Sequence, residues 1–89
     1  PFKRLLRIVI EDKEQKQAQN LCKKLVDQIS HILKVEIIGY GACSIEMLKG
    51  QYRFYILLRS DFYKPLIKIQ EYALNFKNVS VDIDPIDFL

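Results

Sequence analysis

The chain is short of the residues that most catalytic and metal chemistry needs. It has two cysteines, Cys22 and Cys43, and one histidine, His31. The cysteines do not form a C-x-x-C pair, and a single histidine cannot complete a ligand set with them. Cysteine used so sparingly fits a reducing cytoplasm rather than a disulfide framework. Glycine is also scarce, and Gly41 is not followed by the lysine and serine or threonine of a phosphate-binding loop. No apolar run approaches the ~20 residues of a membrane span. The opening residues, Pro1-Phe2-Lys3-Arg4, lead straight into a strand-like run and show no signal peptide. No nucleophile–base pair, paired active-site carboxylates or metal cluster can be assembled, so the chain by itself is not expected to be an enzyme.

What remains is ordinary globular composition, 49% hydrophobic and 28% charged. A chain of 89 residues is expected to form one domain, 1–89, able to bury about 60% of its unfolded surface. Its net charge is +3 and its pI about 9.0, mildly basic and compatible with nucleic acid without demanding it. Acids are interspersed among the cations, so any basic patch has to be made by folding. The first residue is proline rather than methionine, as expected of a domain belonging to a longer protein.

The most informative stretch is Lys49 to Arg59, K-G-Q-Y-R-F-Y-I-L-L-R. Lys49-Gly50 reads as a turn with Gly50 at positive φ. In an extended strand Tyr52, Phe54, Ile56 and Leu58 share an apolar face, while Arg53, Tyr55, Leu57 and Arg59 share the other. Arg4 to Ile10 reads as a first strand with Leu6, Ile8 and Ile10 on one side and Leu5, Arg7 and Val9 on the other. Asp12 and Gln15 resemble a capping box. The helix they open is expected to run to about Leu33 on a stripe of Ala18, Leu21, Cys22, Leu25, Ile29, Ile32 and Leu33. His31 then falls in its last turn. Val35 to Ile38 reads as a second strand, residues 39–44 as a loop, and Ile45 to Leu48 as resumed extended chain. A second helix begins near Lys64, tolerates Pro65 in its first turn, carries Leu66, Ile69, Ala73 and Phe76 inward, and closes at Lys77-Asn78. Val79 to Asp84 alternates as a last strand, stopped by Pro85. Residues 86–89 are expected to pack back on the domain.

The order strand, helix, strand, strand, helix, strand predicts an α+β fold of the ferredoxin-like, split βαβ kind. It gives a four-stranded antiparallel sheet with two helices on one face. The other sheet face is then the candidate functional surface. Base stacking of the RNA-recognition type is disfavoured there. That motif wants aromatics where Gln51 and Arg53 stand, and a one-residue offset moves every side chain across the sheet. Arg7, Lys49, Arg53 and Arg59 suit phosphate contact better, with Tyr55 for stacking. The competing structural reading has Asp82 and Asp84 neutralising Arg53 or Arg59. As a metal pair, Asp82 and Asp84 lack a third ligand.

Ile37 to Leu58, I-I-G-Y-G-A-C-S-I-E-M-L-K-G-Q-Y-R-F-Y-I-L-L, resembles the C-terminal domain of the bacterial replication-restart helicase PriA. Gly39, Gly50, Tyr52, Arg53 and Phe54 carry the match, and Val81 to Leu89, V-D-I-D-P-I-D-F-L, resembles that family's terminus. The chain departs from the family at Tyr40, Ala42 and Ser44, where prolines are usual. The resemblance implies a fold similar to a small-subunit ribosomal protein. It also implies a parent that is an ATP-dependent 3′–5′ DNA helicase in the bacterial cytoplasm, restarting stalled replication forks. ATP, magnesium and zinc would belong to that parent, with no cofactor in this chain. The implied partners are branched and single-stranded DNA, primosome proteins, the helicase core of the same chain, and the acidic tail of single-stranded DNA-binding protein. Lys64 and Lys68 are the candidates for the tail, by position and charge. Two further readings stand beside DNA binding: a docking module without DNA affinity, and an independent ribosomal or RNA-binding domain.

Overall fold

The computed structural model describes residues 3–84. Six elements follow in order: β1 (Arg4–Asp12), α1 (Gln15–Ile29), β2 (Glu36–Leu48), β3 (Gln51–Ser60), α2 (Tyr63–Ala73) and β4 (Val79–Ile83). The strands are all antiparallel to their neighbours, in the order β2-β3-β1-β4. This is the expected α+β ferredoxin-like arrangement.

Period-two alternation builds the core. Leu6, Ile8 and Ile10 of β1 stand directly opposite Leu58, Ile56 and Phe54 of β3. On the other side of β1, the same three face Ile83, Val81 and Val79 of β4. The helices close this face with Ala18, Cys22, Leu25 and Ile29 from α1, and Leu66, Ile69 and Ala73 from α2. Tyr52 is only half-buried at the hairpin end of the apolar face.

Several boundaries differ from the sequence expectations. Asp12 does not cap α1, because it belongs to β1 and pairs with Tyr52 across the ladder. Its carboxylate instead accepts the Glu14 backbone N–H at 2.9 Å and the Asn78 side-chain amide at 3.0 Å. The N-cap is Glu14, with no side-chain cap bond, so no capping box forms. At the other end α1 stops at Ile29, where the Ser30 hydroxyl turns back to the Asp27 carbonyl at 2.6 Å. Such local bonds compete with helix propagation. Ile32 and Leu33 therefore leave the core stripe, Leu33 being 84% exposed, and His31 lies in the turn beyond the helix. Similarly, α2 ends at Ala73, although Phe76 still packs on the core.

Residues 39–44 are not a loop. They lie within the 13-residue β2, which pairs with β3 through two register shifts, between Ile37 and Gly39 and between Ala42 and Met47. Gly41 adopts φ 141 between those shifts, a conformation that side-chain-bearing residues rarely take. Lys49 (φ 54) and Gly50 (φ 78) form the two-residue turn between Leu48 and Gln51. Two successive positive φ values are the type I′ signature, whose twist matches that of the strands. Asp84 lies just past β4 with φ 50. Residues 1–2 and 85–89, on which the expectations about Pro1-Phe2, Pro85 and the packed terminus rest, lie outside the described residues.

Two carboxylates tie strand ends together. Asp84 accepts the Leu5 backbone N–H at 3.0 Å and the Arg4 guanidinium at 2.9 Å. These bonds, that from Leu5 first, hold its pKa below the ordinary carboxylate value. Glu36 accepts both Nε and an Nη of Arg59, its direct partner in the β2–β3 register, at 3.3 Å each. Its pKa is lowered by the Arg59 hydrogen bonds, then by that residue's charge.

Three outcomes follow from this architecture. Ile56→Ala, in the fully buried centre of β3, is expected to destabilise by about 2–5 kcal/mol in urea titration. Lys49→Asn should raise the melting temperature, since asparagine accepts the left-handed conformation that Lys49 adopts. The two depressed carboxylates contribute stability that is complete above their unfolded pKa values, about 3.9 and 4.3. That stability is lost as pH falls through the lower folded values. Denaturation free energy should therefore be level above about pH 5 and drop below about pH 4. Asp84→Asn and Glu36→Gln should each flatten the drop.

Candidate functional site

The face of the sheet away from the helices carries Arg7, Arg53, Tyr55 and Arg59, as their strand register requires. They do not form a cationic cluster. Arg53 and Arg59 stand near opposite ends of β3, about 20 Å apart at roughly 3.3 Å per residue. Each arginine also meets its own acid. Arg7 pairs with Asp82 at 3.0 Å, Arg53 with Glu11 at 3.2 Å and Arg59 with Glu36 at 3.3 Å.

All three pairs join directly opposed residues. Arg7 faces Asp82 across β1–β4, Glu11 faces Arg53 across β1–β3, and Glu36 faces Arg59 across β2–β3. The expected neutralisation of Arg53 or Arg59 by Asp82 and Asp84 is therefore corrected. Those acids serve Arg7 and Arg4 on the other flank of β1. Glu11 and Glu36 were the residues missed, because they become visible only once the register is known.

The guanidinium side chains of Arg7 and Arg53 are only 16% and 21% exposed. They lie against the sheet rather than projecting from it. Beneath this layer Val9 and Cys43 are buried, although neither belongs to the core between sheet and helices. Burial raises the Cys43 thiol pKa, while the nearby Arg53 and Arg7 charges pull it down. Cys43 is thus a small packed hydrophobe rather than a loop residue. Cys22 is likewise raised, chiefly by burial, and its Sγ lies 3.8 Å from the Tyr55 carbonyl oxygen.

Tyr55 is half-buried because its ring leans over β2. A Cβ built on Gly39 would lie 3.2 Å from the Tyr55 hydroxyl oxygen. A side chain at 39 would therefore require the tyrosine to move. Lys49 is exposed at the hairpin tip, apart from the paired arginines.

The helix layer has a different charge balance. α1 carries Lys16, Lys23 and Lys24 against Asp27, and α2 carries Lys64 and Lys68 against Glu71. Among the described residues, none of these five helix lysines has a carboxylate partner, nor has Lys34 in the connection after α1. The Lys34 ammonium sits 4.6 Å from the centre of the half-exposed Phe62 ring. Between the end of α1 and α2 is a cleft of about 440 Å³, lined by Ile29, Ile32, Pro65, Lys68, Ile69 and Tyr72, with Gln28 beside them. Among the described residues no three metal-ligating side chains come together, and no helix is long and apolar enough to cross a membrane.

Known proteins give this geometry a setting. A de novo designed protein, Foldit4, superposes with a TM-score of 0.70 at 16% identity, over 92% of this chain and 93% of that one. An ACT domain protein from Streptococcus pneumoniae is more distant, with a TM-score of 0.48, 14% identity, and coverage of 91% and 85%. The first likeness concerns the fold alone. No curated protein matches the chain. The family model for the primosomal protein N C-terminal domain, a small non-catalytic module, matches residues 1–86. The chain therefore belongs to the primosomal protein N C-terminal domain family, whose role lies in primosomal replication restart.

Proposed function

We propose that the sheet face is a protein-docking surface, and that its partner is the helicase core of the same primosomal protein. The observation that carries this reading is the pairing of Arg7, Arg53 and Arg59 with Asp82, Glu11 and Glu36, the last of which also meets Lys3 at 3.5 Å. A surface meant for phosphates presents uncommitted cations. Here a phosphate would have to displace a carboxylate from each arginine. A charge-balanced face with half-buried Leu5, Tyr55 and Leu57 between the pairs instead resembles the mixed polar and apolar interfaces formed between domains.

A second reading, contact with DNA, is supported by a separate observation. The lysines of the two helices, Lys16, Lys23, Lys24, Lys64 and Lys68, have no carboxylate partner among the described residues. In this reading DNA and the helicase core engage opposite sides of the domain. The acidic tail of single-stranded DNA-binding protein is an alternative occupant of the same lysines.

Docking is tested by titrating the 89-residue chain with its separately purified helicase core in a calorimeter. Leu57→Glu and Arg53→Glu should each weaken association more than 10-fold, since reversing or burying an unmatched charge in an interface costs about 2–5 kcal/mol. Association should depend little on salt. If these substitutions leave core binding intact but abolish DNA binding, the sheet face is the DNA surface and the proposal fails.

A further inference from the structure

We propose that the five residues after Asp84, Pro85-Ile86-Asp87-Phe88-Leu89, seat in the cleft between α1 and α2 and plug it. The proposal does not depend on which partner the sheet face docks. The cleft exists because the helices are splayed. α1 packs chiefly on β3 and α2 chiefly on β4, with β1 between those strands in the sheet. Buried Ile29 and Ile69 form the floor of the gap, Ile32, Pro65 and Tyr72 its walls, and Lys68 lies at its rim. The lining is almost wholly hydrocarbon, yet Ile32 and Tyr72 remain 38% and 40% exposed. Apolar surface left in water in this way gains free energy when it is covered.

The position of Asp84 points to the chain's own next residues as the cover. Asp84 accepts a bond from the Arg4 guanidinium at 2.9 Å, and that guanidinium lies 5.1 Å from the centre of the ring of Tyr63, the first residue of α2. Pro65, in the cleft wall, is two residues further on. Asp84 also adopts φ 50, which turns the chain out of the line of β4. Five extended residues span about 17 Å. A helix with its side chains is roughly 11 Å across, so the segment reaches round the start of α2 into the cleft.

Its side chains match the site. In an extended segment Ile86 and Phe88 share one side and Asp87 takes the other. A cavity of about 150 Å³ holds a benzene ring. The cleft, at about 440 Å³, has room for the Phe88 ring together with Ile86. Asp87 is then directed to Lys68 or to Lys64, one turn earlier on the same helix, neither of which has a carboxylate partner among the described residues. A tether this short also holds its own segment at an effective concentration in the millimolar range, which a separate apolar peptide rarely matches. Any partner with an apolar anchor must displace the plug, and its apparent affinity falls with the fraction of cleft that is open.

The test is methyl and aromatic NMR on the 89-residue chain and on residues 1–84, which retain the whole core between sheet and helices. In the longer chain the Phe88 ring should show nuclear Overhauser contacts to the methyl groups of Ile29, Ile32 and Ile69. Those methyl signals should shift in the 1–84 chain and in Phe88→Ser. A fluorescent peptide of sequence P-I-D-F-L should bind the 1–84 chain at the same methyl groups, and the 89-residue chain roughly 10-fold more weakly or less. Ile32→Glu should abolish the ring contacts and peptide binding. It lies beyond the end of α1 at a partly exposed position, and amide dispersion verifies its fold.

Unchanged Ile29, Ile32 and Ile69 signals on deleting residues 85–89 would overturn the proposal. Phe88 contacts to the sheet face instead, or equal peptide affinity for the two chains, would do the same. Contacts found only between differently labelled chains, and lost on dilution, would assign the cleft to the tail of a second copy and overturn the intramolecular plug.

Discussion

The nine-residue register between β1 and β3 is the constraint on which the rest depends. It sets Leu6, Ile8 and Ile10 against Leu58, Ile56 and Phe54, which builds the core. The same register sets Glu11 against Arg53 and presents Arg7 to Asp82 on the far side of β1. A slip of one residue would drive guanidinium groups toward the helices and leave the aliphatic residues in water. Stability and surface chemistry are therefore read from one ladder. β1, bonded on both edges, transmits that choice to the whole sheet.

The two sides of the domain use charge differently. On the sheet face, cations and anions are matched across strands, and two of the arginines lie low over Val9 and Cys43. Exposed ion pairs contribute little each, about 0–1 kcal/mol. Their main effect here is to make the face electrically quiet. The helix side keeps the surplus lysines. Membership of the primosomal protein N C-terminal domain family sets both sides within primosomal replication restart.

Much of the fold was legible in the sequence because alternation is a strong signal. The apolar sets of β1, β3 and β4 and the stripes of both helices fall where the periodicity puts them, and Gly50 has the expected positive φ. The failures have particular causes. Asp12 is a good helix cap by type, but pairing with Tyr52 kept it in the strand. Ile32 and Leu33 continue the helical stripe on paper, yet the Ser30 turn ends α1 before they can use it. The segment 39–44 looked like a loop because two glycines usually punctuate a chain, whereas here they let an irregular strand bend. At the sheet face, strand phase was enough to place Arg7, Arg53, Tyr55 and Arg59 together. Their acidic partners required knowing which rung faces which, and no local pattern encodes that.

The irregular course of β2 has a consequence for solubility. It is a rim strand with Ile38, Tyr40, Met47 and Leu48 all partly in water, which is a hazard where backbone donors and acceptors also stand unclaimed. Its two offsets break the rim so that only residues 39–42 run in uninterrupted step with β3 between them. Four rungs give a stray chain too little to zip onto. An interrupted rim of this kind is a poor template for a stray strand, so the bends guard the greasy side chains along its border.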